Sequence, residues 1–278
     1  MVPSLNLVGA GHVGRALGRL FAAAGALAVQ DVLTRSEASA GEAVAFIGAG
    51  RACGALASMR PARVWMLAVG DDAIAPACQA LVKAQGGQLA GALVFHCSGA
   101  KASSELQAAR EAGALVASVH PVRSFADPQA VATDFAGTFC GIEGDEAALA
   151  LLLPAFAAIG ARPVRIDPAA KTVYHAAAVF ASNYLVTVLD AALRAYAAAG
   201  VPAEVARELA RPLAQEAMAN VFRLGPEAAL SGPVARGDFA TVARQQEAVT
   251  RWDPDTGRLY EALVAPTAAL ARRKRGEA

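Results

Sequence analysis

Cysteine is scarce and scattered in this chain of 278 residues: Cys53, Cys78, Cys97 and Cys140 form no CxxC pair and sit beside no histidine cluster. That pattern argues against a disulfide scaffold and a cysteine–histidine metal site, and it predicts reduced thiols, a cytoplasmic setting and no metal. An excess of either charge is also lacking, since 25 basic and 24 acidic side chains leave a net charge of +1. Neither nucleic acid nor an anionic membrane surface is expected as a partner. The single basic cluster, Arg272-Arg273-Lys274-Arg275, is expected to be a frayed, solvated tail. The longest uncharged stretch, residues 172–189, holds His175, Ser182, Asn183 and Tyr184. It falls short of the roughly 20 apolar residues of a membrane span. The first apolar run has no charged segment before it, so no secretory leader is expected.

Apolar side chains are plentiful. Hydrophobic residues make up 55% and charged ones 18%, enough to build a core. Mean hydropathy is high because alanine is abundant, and alanine is also the best helix former, which predicts buried helices. In the first half, short apolar runs alternate with helical patterns, the arrangement of βαβ units and a parallel sheet. Strands are expected over 5–8, 27–33, 52–56, 63–69, 92–97, 115–119, 138–142 and 163–166. Ser39 with Glu42 reads as a capping box opening the helix after the second strand. Beyond residue 167 the strand pattern stops. Asp167 is a helix cap with Pro168 in the first turn. Helices are expected over about 168–199, 203–224, 238–251 and 255–272. The fold class is therefore α/β: an N-terminal Rossmann dinucleotide-binding domain, 1–166, followed by an all-α domain, 167–278, for substrate and dimerisation. The apolar circumference of these helices favours packing on one another and on a second copy.

Gly9-Ala10-Gly11-His12-Val13-Gly14 matches GxGxxG, with Gly18 extending it. It follows a strand and opens a helix, the context in which glycines admit a pyrophosphate to a helix N-terminus. His12 could reach a phosphate or be an exposed loop histidine. Asp31 has the spacing of an acid that binds a ribose 2′-hydroxyl, but Val32 and Leu33 continue the strand past it. The strand then ends at Thr34-Arg35-Ser36, a guanidinium and two hydroxyls suited to a 2′-phosphate, so NADP is favoured over NAD. Val69, at the end of the fourth strand, and Ser98 and Gly99, after the fifth, are counted with the cofactor-binding residues; Ser98 reads equally well as a turn residue.

His120-Pro121 follows the sixth strand, where ligands of open α/β sheets bind, so His120 reads as a substrate or nicotinamide neighbour or, equally, as a structural loop histidine before proline. On the first helix of the second domain, Lys171, His175 and Ser182 fall in a stripe roughly 40° wide, with Asn183 about 80° to one side. Polar groups on so apolar a helix are costly unless paired or lining a cleft. His175 or Lys171 is the candidate proton donor to a carbonyl oxygen or imine nitrogen, and Ser182 and Asn183 candidate ligands of that oxygen. A core histidine bonded to a backbone carbonyl is the alternative. Arg236, in the loop joining two helices, reads as a carboxylate ligand or as half of a salt bridge.

With these residues in view, the chain resembles the phosphogluconate dehydrogenase-like superfamily, and looks closest to predicted oxidoreductases with a Rossmann-like first half and an uncharacterised helical second half. The matching stretches are residues 9–18, 34–36, 96–99, 120–121, 174–183 and 232–238. It is more distantly similar to ketopantoate reductase, pyrroline carboxylate reductase and the deazaflavin-dependent NADP oxidoreductases. The resemblance implies an NADPH-dependent reductase acting on a small 2-oxo acid, ketopantoate-like, or an imine, in a homodimer. It departs from ketopantoate reductase where His175 holds the place of the catalytic lysine and Val179 that of the middle asparagine. A nucleotide-binding sensor without chemistry and a methyltransferase using the same glycine turn are the competing readings. A short-chain dehydrogenase is disfavoured because neither Tyr174 nor Tyr184 is followed four residues later by lysine.

Overall fold

A computed structural model describes residues 1–277; Ala278, the last residue of the expected second domain, lies outside the described residues. The chain forms two compact units, Met1–Val179 and Phe180–Ala278. The sequence reading put the boundary near residue 167. The difference arises because residues 168–179 pack with the sheet unit through the buried Lys171 side chain.

The first unit is built on one eight-stranded sheet in the order β3-β2-β1-β4-β5-β6-β7-β8. The strands are β1 (Ser4–Val8), β2 (Ala28–Leu33), β3 (Arg51–Cys53), β4 (Val64–Leu67), β5 (Leu93–His96), β6 (Leu115–Pro121), β7 (Phe139–Gly144) and β8 (Arg162–Arg165). All neighbours pair in parallel except β6 and β7, which run antiparallel. The fully parallel sheet expected from the βαβ pattern is thus broken at one place. Strand patterning reports burial but not direction, and the loop from 122 to 138 returns β7 beside β6 with its direction reversed.

The helices of this unit are α1 (His12–Ala23), α2 (Glu37–Ile47), α3 (Ile74–Gln85), α4 (Gln107–Glu111), α5 (Pro128–Thr133), α6 (Glu146–Ala158) and α7 (Lys171–Val179). Side chains alternate across each strand, so β4 sends Val64 and Met66 to one face and Trp65 and Leu67 to the other. Both faces are apolar because both are covered. On the first, Phe156 of α6 meets Phe21 of α1 edge-to-face at 5.1 Å and Phe95 of β5 at 6.1 Å. On the second, Trp65 packs in the cluster that holds Cys78, Leu81 and Leu106. One strand in from the sheet edge, Asp31 is fully buried inside β2, paired with Arg60 at 2.6 Å and with Arg51 at 3.1 Å. Ser36, not Ser39, caps α2: its hydroxyl accepts from the Ser39 N–H at 3.2 Å. The helix starts three residues before the capping-box reading because Ser36 itself is the extended residue next to the first turn.

The second unit contains a π-helical turn, Phe180–Tyr184, and then α8 (Leu185–Ala198), α9 (Ala203–Leu224), α10 (Pro226–Ala229), α11 (Gly232–Arg236), α12 (Phe239–Trp252) and α13 (Pro254–Arg275). Arg194 on α8 holds Asp253 at 2.8 Å and Thr256 at 3.0 Å ahead of and on α13. Gly257 lets α13 cross α12 at Thr250, where a Cβ would collide with that side chain. The basic cluster at 272–275 is the last turn of α13 and not a frayed tail. Arg273 pairs with Glu227 at 3.3 Å, and Lys274 donates to the Leu230 carbonyl at 2.8 Å. Cations at a helix C-terminus also complement its dipole.

The expectation of buried apolar helices is met by α6 but not by the run around residue 180. None of the apolar window in Pro168–Ala198 is buried within the chain, and this is, among the described residues, one helix long and apolar enough to cross a membrane by length and composition. The sequence count stopped at the charges of Lys171 and Asp190, whereas the helix continues through both.

Candidate functional site

Parallel strands β1, β2, β4, β5 and β6 all end on the same edge of the sheet, and there a cleft of about 450 Å³ opens in the first unit. Gly11, His12 and Val13 line it after β1, Ala68 and Val69 after β4, and Cys97, Ser98 and Gly99 after β5. His120 and Pro121 enter from the end of β6, and His175 from α7.

The glycine turn is shaped by close approach. Gly9 has φ +85°, and a Cβ there would stand 2.5 Å from the Ala68 carbonyl oxygen and 2.7 Å from Val69. A Cβ on Gly14 would stand 2.9 Å from Ala68, so α1 lies tight on the strands. At Gly11, by contrast, no atom would lie within 4 Å of a Cβ. Gly11 is the N-cap of α1, no side chain caps the helix, and no acid lies in its first turn. The unpaired N–H groups and positive dipole of α1 therefore face open space, as an anionic group requires.

At the end of β2 the Thr34 hydroxyl donates to the Ser36 carbonyl at 2.8 Å and Ser36 is engaged as a cap. Arg35 is exposed and, among the described residues, makes no hydrogen bond or ion pair. None of the three lines the cleft itself. Asp31, with the spacing of a ribose-binding acid, is taken up by its two arginines, which outweigh its burial and hold its carboxyl below the usual range.

At the inner end of the cleft two imidazoles meet. The His120 and His175 rings pack edge-to-face at 5.6 Å. Gly99 makes this possible, because a Cβ there would collide with His175 Cδ2 and stand 2.8 Å from His120 Nε2. Tyr174, one residue before His175, brings its hydroxyl to 3.1 Å from His120 Nδ1. Burial, with His175 and the Lys171 ammonium adding to it, pushes His120 down to about 4, so it is neutral near pH 7. Ser98 is a turn residue as well as a lining one: its hydroxyl accepts from the Ala100 and Lys101 N–H groups at 3.2 and 2.9 Å. Buried His96 accepts from the Ser98 N–H at 3.2 Å through Nδ1 and donates to the Ala102 carbonyl at 3.0 Å through Nε2. Its burial pushes it to about 4. Burial raises the Cys97 thiol to about 12, so it is no thiolate nucleophile near neutral pH.

Lys171 is 1% exposed and does not line the cleft. Its ammonium donates to the Ser118 hydroxyl and pairs with Glu143 at 3.3 Å. Glu143 also accepts from the Ser103 N–H and hydroxyl, both at 2.7 Å. Ser182 and Asn183 belong to the second unit, inside the π turn, where the Ser182 hydroxyl donates to Asn183 Oδ1 at 2.9 Å. An i→i+5 turn does not advance at the α-helical angle, so the stripe drawn through Lys171, His175 and Ser182 is not kept. Arg236 ends α11, also in the second unit, and is exposed. The Asp71, Arg123, Phe125 and Tyr174 side chains at or beside the cleft escaped the sequence reading as site residues. Only Tyr174 carried a signal, its place beside His175. Among the described residues no group of three His, Cys, Asp or Glu side chains is placed to hold a metal ion.

Two family models match the chain: a Rossmann-like domain over residues 3–121 and a domain of unknown function, DUF2520, over residues 138–267. No curated protein matches significantly. Among solved structures, a Bacteroides fragilis protein described provisionally as an NADP oxidoreductase is similar at 23% identity and TM-score 0.76, covering 96% of this chain and 98% of that one. A Thermotoga maritima protein whose name states no activity is 27% identical with TM-score 0.74, covering 98% and 99%. An imine reductase from Myxococcus stipitatus in complex with NADP+ is 18% identical with TM-score 0.66, covering 98% and 93%. The chain thus consists of a Rossmann-like domain followed by a DUF2520 domain, and shares its fold with these proteins along almost its whole length.

Proposed function

We propose that this protein is an NADP-dependent oxidoreductase that reduces a small 2-oxo acid, ketopantoate-like, or an imine. The observation that carries the reading is one cleft holding both an uncapped helix N-terminus at an open glycine and two imidazoles at the far end. The fold shared with an imine reductase bound to NADP+ supports it. The residues fit a dinucleotide. Gly9, Gly11, His12, Val13 and Gly14 would hold its pyrophosphate on the α1 dipole. Thr34, Arg35 and Ser36 would take the 2′-phosphate, and Val69, Ser98 and Gly99 would border the nicotinamide. When bound, the cofactor supplies hydride.

The protein's own part is to exclude water, orient the acceptor and deliver a proton. His175, in the cleft and free of the buried pairing that holds Lys171, is the proposed proton donor to the acceptor oxygen or nitrogen. His120, neutral, is the proposed hydrogen-bonding neighbour of the substrate. Ser182, Asn183 and Arg236 stand in the second unit.

Titration of the purified protein with NADPH and NADH, followed by nicotinamide fluorescence, tests the reading. Tight NADPH binding, weakened at least tenfold in Arg35→Ala while weak NADH binding is unchanged, is expected. Failure to bind either nucleotide sinks the proposal.

We further propose a cytoplasmic homodimer formed through the second unit. Large apolar side chains stand exposed there, among them Phe222 at 88%, Val186 at 68% and Leu213 at 61%. A monomeric mass by light scattering would remove this part of the reading.

A further inference from the structure

Tyr174 contributes nothing to the reading above, yet its hydroxyl is the only hydrogen-bond partner, among the described residues, of the His120 ring. The phenol oxygen lies against the β7 backbone, where a Cβ on Gly141 would collide with it, and no group other than His120 is placed to accept a hydrogen bond from it among the described residues. A phenol has one proton to give. If His120 Nδ1 carried the ring proton, the phenol oxygen would accept it and the phenol's own O–H would have no acceptor among the described residues. If the phenol donates to a bare Nδ1, every group is satisfied, and the ring proton must sit on Nε2. That nitrogen lies on the ring edge beside Gly99, another residue of the cleft lining, and makes no hydrogen bond within the protein.

We infer that Tyr174 is a positioning residue that locks His120 in its Nε2–H tautomer, making it a neutral hydrogen-bond donor aimed into the cleft at a carbonyl or carboxamide oxygen. A neutral imidazole donor can polarise such an oxygen without itself carrying a positive charge. The surroundings keep it neutral. Burial comes first, His175 and Lys171 on α7 also oppose a charge on His120, and Asp71 after β4 favours it less strongly than these three disfavour it. The ligand-facing role rests on the proposed function; the tautomer does not.

Nitrogen-15 NMR of histidine-labelled protein, with His120 assigned by comparison with His120→Gln, reads the tautomer directly. His96, whose Nδ1 accepts and Nε2 donates within the protein, is the internal reference for the same pattern. The expected spectrum has His120 Nε2 protonated and Nδ1 bare at neutral pH. In Tyr174→Phe the single-tautomer signature should give way to mixed signals, with the titration midpoint moved upward. A protonated Nδ1 or an imidazolium in the native protein at neutral pH overturns the inference. So does an unchanged Nε2–H signature in Tyr174→Phe, and the native spectrum alone decides if that variant does not fold. Absence of nicotinamide binding would remove the proposed reductase while leaving this tautomer result standing.

Discussion

Gly99 shows how little tolerance the two-imidazole end of the cleft has. Gly99→Ala would drive a methyl group into His175 and against His120, and over-packing of this kind costs about 1–3 kcal/mol. The expected outcome is a lower melting temperature together with weakened NADPH binding; unchanged values of both would mean that the imidazoles move aside freely. His96 and His120 impose a pH dependence of their own. Their folded values are about 4 against 6.5 when free, so between those two values the unfolded chain binds more protons than the folded one. Stability is therefore fully present above about pH 6.5 and falls as pH drops toward 4, by at most about 1.4 kcal/mol per pH unit for each histidine. Urea unfolding across that range should show the slope, and His120→Gln should flatten it. Lys171 and Glu143 form a pair that is costly to break. Lys171→Met leaves a buried carboxylate with only Ser103 to serve it, and a loss of about 3–5 kcal/mol is expected in denaturant unfolding. None of this was readable from Lys171 in the sequence beyond the demand that such a lysine be paired, because Ser118 and Glu143 lie 53 and 28 positions away.

Among the elements, α1 has the feature most open to test. Its N-terminus lacks both a capping side chain and an acid, which leaves the free helix less stable than it need be. His12→Glu would place a carboxylate in the first turn. The helix dipole should then raise stability by about 0.3–1 kcal/mol, whereas an anionic ligand at the same N–H groups should bind more weakly. A rise in melting temperature with a loss of NADPH affinity is the expected combination; unchanged affinity would take the pyrophosphate away from this site. The glycine pattern announces this element because φ +85° at Gly9 is a local requirement that favours glycine, and the close approach of Ala68 at Gly14 leaves no room for a Cβ. The π turn at Phe180–Tyr184 has no such marker. Helical periodicity assumes a constant angle per residue, so Ser182 and Asn183 were aligned with His175 on an angle that the backbone does not keep.

For the whole molecule, the exposed apolar side chains of the second unit predict association. Phe222→Glu and Leu213→Glu should lower the mass measured by light scattering to that of one chain without lowering the melting temperature of the first unit. If the native protein is already monomeric, these side chains need another explanation. The sequence by itself determined the Rossmann-like sheet, the glycine turn at the end of β1 and the change to helices beyond residue 167. It could do so because alternation, glycine turns and helix caps are written within a few consecutive residues. It also favoured Asp31 inside the strand over Asp31 at its end, since Val32 and Leu33 continue the apolar run. Only the tertiary structure decided that β7 runs antiparallel to β6, that Lys171 spends its charge on Glu143, and that His120, Tyr174 and His175 meet over Gly99. Those outcomes depend on contacts between residues some 20 to 76 positions apart, and the sheet that brings such residues together is a property of the folded chain and of no segment of it.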